Sequence, residues 1–355
     1  MRYSLYAEND AFLRKRFLDL PKGMYPRERD TQDRKTEEAL LQGTHPLSGN
    51  FRVYPFLALD ENGWGAARCL LTIYPNDENG YVGFFESENS PEAARLVLDA
   101  AAEQARSLGC SKLVGPYNAS FWIGYRFKTS SFQRYFTGEP NNKAFYPKLW
   151  EACGFTVTDH YFSNHMRVPT EADVIPKAVK RLERFRADGY DFRTITPKAF
   201  DKCLVDIYHL LTELYSSFPG YQPISERQFV SLFGSLKFVL DHEMVKLVYK
   251  DGKLAAFVIC VPNYGALVEG SLRLRDLGKI LKIRSAPREY VIPYMGVSPE
   301  HAGLGNALSE LLRQDLIRKN ATSFSALIHD GKVTGGFYKN LKIGQTDYVL
   351  MERPL

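Results

Sequence analysis

The residues best placed to do chemistry lie between Val297 and Leu311, which read Val-Ser-Pro-Glu-His-Ala-Gly-Leu-Gly-Asn-Ala-Leu-Ser-Glu-Leu. Gly303 and Gly305 remove β-carbons where a chain must pass close to phosphate oxygens, and Ala307 is the smallest side chain that continues a helix. Directly upstream, Tyr290-Val-Ile-Pro-Tyr-Met-Gly-Val297 is β-like. A strand that runs through a glycine-spaced loop into an amphipathic helix presents free backbone N–H groups, with the positive end of the helix dipole behind them. Such a loop can hold a pyrophosphate. The competing explanation is a tight strand-to-helix connection whose glycines serve packing alone.

Elements on either side must position this loop, and they occur twice in the chain. The first series is a strand Tyr81–Glu86, a helix opened by Ser90-Pro91 and stopped at Gly109, a strand Ser111–Gly115, the segment Phe145–Phe155 and a strand Tyr161–Val168. In the second series Tyr290–Met295, Leu308–Arg318, Ser323–Ile328, Phe337–Gly344 and Asp347–Glu352 follow in the same order. The pairs Phe145-Tyr146 and Phe337-Tyr338 are the best local match. A hairpin-like pair precedes each series: Phe51–Leu59 with Gly65–Tyr74, and Val245–Tyr249 with Leu254–Val261. Helical stretches lie ahead of both, at Ala7–Asp19 and Arg34–Gln42, then at Pro197–Tyr215 and Ser225–Phe233. Thr170–Gly189, with Lys177, Lys180, Arg181, Arg184 and Arg186, reads as a solvated connecting helix. The chain is therefore expected to be α/β, with domains at 1–170 and 190–355 joined by a helix at 171–189.

The two copies differ where chemistry is concerned. In place of the glycine loop, the first has Glu86-Ser-Glu-Asn-Ser-Pro-Glu92, with no glycine and three carboxylates. Such a turn repels a pyrophosphate, so a single anion site in the second half is expected. The first copy also carries an insertion, roughly 119–142. Tyr117, Phe121, Trp122, Tyr125 and Phe127, in and beside it, could cover a pocket or form core.

Composition excludes several classes. With 355 residues, 45% apolar and 25% charged, the chain is globular and exceeds what one core usually spans. A net charge of +5, from 46 basic and 41 acidic residues, is no nucleic-acid footprint. Five scattered cysteines without a C-x-x-C pair predict reduced thiols, no disulfide frame and no metal site. Without an apolar leader or a spanning segment, a cytoplasmic protein with no membrane partner is expected. The densest basic run, Arg273–Arg284, reads as a solvated amphipathic helix, with steering of an anionic ligand as the alternative.

The order helix, helix, hairpin, strand, Gly-loop, helix, strand, helix, strand, together with Ala302-Gly-Leu-Gly305-Asn-Ala307, resembles the GCN5-related N-acetyltransferase (GNAT) superfamily in its tandem form. Its signature is Arg/Gln-x-x-Gly-x-Gly/Ala, and this chain departs from it at the first position, which is Ala302. The resemblance implies two tandem GNAT-like domains with mixed β-sheets flanked by helices, the first of them degenerate. It further implies acetyl-CoA or another acyl-CoA as cosubstrate, with the pantetheine arm paired to Met295, Gly296 and Val297. The pyrophosphate would lie on the backbone of Ala302, Gly303, Leu304, Gly305, Asn306 and Ala307, either with lower affinity for want of the signature side chain or with a Lys or Arg from elsewhere in its place.

By the same resemblance, Tyr338 would protonate the departing thiolate, and a phenol suits that task. Tyr338 could equally be core, as its recurrence as Tyr146 suggests. Glu289, Glu269 or a water chain would take the proton of the attacking amine. His301 and His329 complete no catalytic set. The expected activity is N-acyl transfer, most simply acetyl, to a primary amine of a small molecule or peptide, by a monomer or homodimer. An aminoacyl-tRNA-dependent peptidyltransferase of the same fold, which would bind tRNA, and a non-catalytic ligand-binding module are the alternatives.

Overall fold

The structure, a computed structural model, describes residues 2–26, 29–216, 218, 220–270, 274–331, 336 and 338–355. The chain forms two compact units. The first is Met1–Tyr161 with Ala266–Leu272 and Asp347–Leu355; the second is Phe162–Gly265 with Arg273–Thr346.

In chain order the first unit supplies β1 (Tyr3–Tyr6), α1 (Ala11–Asp19), α2 (Arg34–Leu41), β2 (Arg52–Asp60), β3 (Gly65–Ile73), β4 (Asn79–Ser87), α3 (Pro91–Ser107), β5 (Lys112–Gly115), β6 (Phe127–Lys128), α4 (Tyr146–Ala152) and the start of β7 (Thr156–Met166). β1 to β4 are antiparallel neighbours and β5 joins β4 in parallel. α3 starts where sequence chemistry puts it: the Ser90 side chain accepts from Ala93 N–H at 3.2 Å and Pro91 occupies the first turn. Its apolar residues Ala94, Val97, Leu98, Ala101 and Ala105 recur at helical spacing and face the sheet, packing with Ala67, Cys69 and Leu71. On α2, Glu37 meets the buried Arg68 of β3 at 2.7 Å, and Arg68 also donates to Phe17 O at 2.8 Å.

The second unit supplies α5 (Pro176–Ala187), β8 (Asp191–Thr194), α6 (Phe200–Tyr215), α7 (Glu226–Phe233), β9 (Val245–Lys250), β10 (Lys253–Pro262), α8 (Leu277–Ser285), β11 (Glu289–Val297), α9 (Leu304–Lys319) and β12 (Thr322–His329). Strand order from β8 through β9, β10 and β11 to β12 is followed by the end of β7. β8 to β11 are antiparallel, while β11 and β12 are parallel. α9 covers one face, its Leu304, Ala307, Leu308 and Leu312 packing with Val248, Ala256 and Tyr290.

Two features depart from expectation, and a third decides between two open readings. α5 is no solvated linker: Leu182 and Phe185 belong to the core beneath α9, and Ala178 is buried beside them. The aromatic insertion is core, with Tyr117, Phe121, Trp122, Tyr125 and Phe127 all buried. The last strand, β13 (Lys342–Pro354), is built into the first unit from Asp347 onward, pairing Met351 with Gly115 and Pro354 with Lys112. In the second unit the end of β7 takes the corresponding place beside β12, where Leu327 N–H donates to Ser163 Oγ at 2.9 Å.

Candidate functional site

Two local irregularities shape the second unit around the glycine loop. Opposite the single residue Cys260, β11 carries Ile292 and Pro293, because Val261 pairs with Val291 and Ile259 with Tyr294. This bulge falls at a proline, which has no N–H to give a ladder. Pairing with β12 runs from Glu289–Thr322 to Ile292–Ser325. Beyond it, Met295, Gly296 and Val297 keep β10 on one side and have no strand partner toward β12 among the described residues. β12 turns at Leu327, whose φ of 56° is costly for a branched residue. A wedge between two splayed strands results.

At the mouth of the wedge the chain passes through a 3₁₀ turn, Pro299–His301, into α9. His301 Nδ1 lies 2.9 Å from the Tyr190 hydroxyl, so this histidine holds the turn in place. Gly303 is the N-cap, at φ 102°, a conformation that glycine adopts without penalty. The helix starts at Leu304, ahead of the expected Leu308, so Gly305, Asn306 and Ala307 sit in its first turn. No side chain caps that turn, and Asn306 N–H turns back to Gly303 O at 3.1 Å, so the amides of Leu304 and Gly305 are the ones that face an external acceptor. Ala302 is exposed and contributes backbone only.

Arg181 of α5 reaches the same place. A β-carbon at Gly303 would lie 3.5 Å from the guanidinium carbon and from Nε of Arg181. A cation at the positive end of a helix is unfavourable unless an anion joins it. Loop, dipole and guanidinium together fit a pyrophosphate. The signal was present in the sequence: Ala178, Leu182 and Phe185 repeat at i, i+4 and i+7, the mark of a packed helix, and Arg181 rides on its rim.

Tyr338 is buried in a left-handed conformation, φ 48°, at the start of the 3₁₀ turn Lys339–Leu341, where a helix was expected. Its neighbours Phe337 and Lys332–Gly335 lie outside the described residues. The Tyr338 hydroxyl donates to Glu310 at 2.9 Å. Burial, and then that carboxylate, push the phenol above its ordinary range. Glu310 itself is fully buried and also accepts from Arg313 and Gln314, each at 2.9 Å. Burial raises the Glu310 carboxyl, but these donors outweigh it and hold the group below its usual value.

Glu289 stands at the other end of β11, eight residues or about 27 Å of extended strand from Val297. Its carboxylate accepts from Asn263 at 2.5 Å and Thr322 at 3.0 Å, with His165 Nε2 at 3.3 Å. Burial raises it, and the three donors more than compensate. Thus the structure brings Met295–Val297 and Ala302–Ala307 together with Arg181, and sets Glu289 apart from them. Glu269 belongs to the first unit, where its carboxylate accepts from Tyr135 and from Gly138 N–H at 2.5 Å. Among the described residues no group of three His, Cys, Asp or Glu could hold a metal.

The first unit repeats this architecture with its groove filled. β4 pairs with β5 over Asn79–Tyr81 and then bulges at Phe84-Phe85. Beyond the pairing, Tyr117 N–H donates to Val82 O at 2.8 Å and Phe84 N–H to Asn118 Oδ1 at 2.7 Å. Gly83 allows this approach, since a β-carbon there would lie 2.0 Å from Tyr117 O. Tyr146, the counterpart of Tyr338, donates to Glu86 at 2.6 Å.

Solved structures share the fold. A tandem GNAT protein from the clavulanic acid biosynthesis pathway superposes with a TM-score of 0.53 at 14% identity, covering 99% of this chain and 98% of that one. A probable N-acyltransferase from Enterococcus faecalis gives 0.51 at 10% identity, covering 100% and 73%. This chain has the tandem GNAT fold. No family model matches the sequence. Among curated proteins, the bacterial ceramide synthase of Caulobacter vibrioides is 24% identical over 274 residues, which is 73% of this chain and 70% of that protein. Protein YghO of Escherichia coli is 22% identical over 248 residues, 67% of this chain and 63% of its own length. In the GNAT fold of this chain the wedge beside β11 and the uncapped helix α9 lie in the second unit.

Proposed function

We propose that the chain is an acyl-CoA-dependent N-acyltransferase with one cofactor site, in the second unit. The observation that carries this is the wedge beyond Ile292, whose strand segment Met295–Val297 leads straight to the uncapped start of α9 under Arg181. In this scheme Gly303–Ala307 and Arg181 hold the pyrophosphate, the pantetheine amides pair with Met295–Val297, and the thioester lies at the bulge. An amine nitrogen attacks the thioester carbon, forming C–N and breaking C–S; the proton lost by nitrogen ends on the thiolate. Tyr338 supplies that proton by exchanging Glu310 for sulfur as its acceptor, and is reprotonated from the amine. With Glu289 spent on three donors, water carries the amine proton to Tyr338, and Glu289 holds the β11–β12 junction.

Acetyl is the simplest acyl group. The Caulobacter relative favours a longer one: a ceramide is a fatty acyl amide of a long-chain amino alcohol, and similarity over 73% of this chain supports a fatty acyl-CoA donor and a lipid-like amine acceptor. Titrating the protein with CoA thioesters from acetyl to palmitoyl, then presenting amines of both kinds and weighing the products, tests both choices. Saturable binding at one equivalent, lost in Gly305→Glu, is the expected result. Absence of any CoA-dependent thermal shift overturns the proposal.

A further inference from the structure

The basic run after the first-unit insertion segment 266–272 was expected to be a solvated helix, yet it shows solvent its leucines as well as its charges. Leu274, in the 3₁₀ turn Leu274–Asp276, is 88% exposed; on α8, Leu277 is 42% and Leu281 61% exposed. Positions 274, 277 and 281 fall on one side at spacings of three and four. Ile280 is buried and Ile283 half-buried, three residues apart on the side that docks α8 to its unit. The leucines are therefore turned away from the core to which the isoleucines belong.

Charge says what covers them. Arg275, Lys279, Lys282, Arg284 and Arg288 are all exposed, and the single acidic residue from Leu274 to Arg288, Asp276, lies 3.9 Å from Arg275. On the helical wheel of α8, Lys282 lies on one flank of the leucine stripe and Arg284 on the other, while Lys279 is on the far side. Long cationic side chains on both flanks can reach phosphate headgroups while the leucines enter the acyl boundary.

We infer that Leu274–Arg288 is a membrane-surface element that seats the second unit on anionic phospholipid, α8 lying flat in the headgroup layer. Seating of this kind needs no acyl transfer and no spanning segment; among the described residues no helix is long and apolar enough to cross a bilayer.

Co-sedimentation of the full chain with sucrose-loaded vesicles tests it. Vesicles of phosphatidylcholine mixed with phosphatidylglycerol should pull the protein down at low salt and release it as salt rises, while phosphatidylcholine alone should not. Lys282→Ala with Arg284→Ala should weaken binding by about fivefold per charge removed. Leu277→Asp with Leu281→Asp should abolish it, with melting temperature unchanged because both side chains are exposed. No binding to the mixed vesicles, or binding that survives the leucine pair, overturns the inference. So does a wild-type dimer in sedimentation velocity that the leucine pair converts to monomer, since a second copy would then cover the stripe, and so does tRNA binding that the basic pair removes while vesicle binding persists.

Discussion

Arg181 and Tyr338 show how differently two side chains in one unit can be tested. A guanidinium near an uncapped helix start contributes a charge-assisted hydrogen bond once a phosphate arrives, worth about 1.5 to 3 kcal/mol. Arg181→Ala should therefore raise the Kd for acetyl-CoA by at least about tenfold and flatten its dependence on salt. Isothermal titration checks this, and an unchanged Kd would remove Arg181 from the site. Tyr338→Phe acts on another quantity. Glu310 keeps Arg313 and Gln314, so the loss of stability should be about 1 kcal/mol, CoA affinity should hold, and turnover should fall by about 100-fold. Equal turnover in the two proteins would make Tyr338 a core residue. The sequence named Tyr338 but not its acceptor, which lies 28 residues away and becomes a neighbour only through the fold. It showed Arg181 as one charge among several, because the stripe Ala178, Leu182, Phe185 was outweighed by the basic residues around it.

At the scale of elements, two helices that follow equivalent strands have opposite beginnings. α3 has a serine cap, a proline and Glu92 in its first turn, so its amides are met from within and an anion is repelled. α9 has glycine and no cap. This contrast was legible in the sequence, since capping chemistry is local. The plug in the first-unit groove was not, because Tyr117 and Asn118 meet β4 through backbone contacts that no residue pattern announces. Plug and cap together predict one CoA equivalent per chain; a calorimetric stoichiometry of two would contradict both. Gly83 is the sensitive point. An alanine there must push Tyr117 O from 2.0 Å to more than 3 Å. Gly83→Ala should thus cost about 3 kcal/mol or more of stability, the range expected for overpacking a buried site. If it melts like the wild type, the plug is not seated as described.

For the whole molecule, the α/β character and the duplication were readable from hydrophobic periodicity and repeated order. The placement of the last strands was not, because Met351 pairs with Gly115, more than two hundred residues away, and each half reads as complete without that pairing. The exchange makes the first unit's stability depend on the far end of the chain, and two buried carboxyls separately make it depend on pH. Burial pushes Glu86 and Glu269 up to about 7 each, with Tyr146 and Tyr25 beside the first and Gly138 N–H and Tyr135 beside the second. The unfolded chain releases these protons near the ordinary value of 4.5, so between that pH and about 7 the folded protein holds protons that the unfolded one has lost. This stabilisation is full below the unfolded value and is lost as pH rises through the folded one, with a slope of at most about 1.4 kcal/mol per pH unit for each group. Asp241, Glu289 and Glu310, held below their usual range, act in the opposite sense and withdraw stability only in acid. The melting temperature should therefore peak near the ordinary carboxyl range and decline toward neutral pH. Glu269→Gln keeps a neutral side chain at every pH, so it should flatten the decline while leaving the acid limb in place. A melting profile that rises from pH 5 to 8, or a Glu269→Gln profile parallel to the wild type, would show that neither carboxyl enters the first unit protonated.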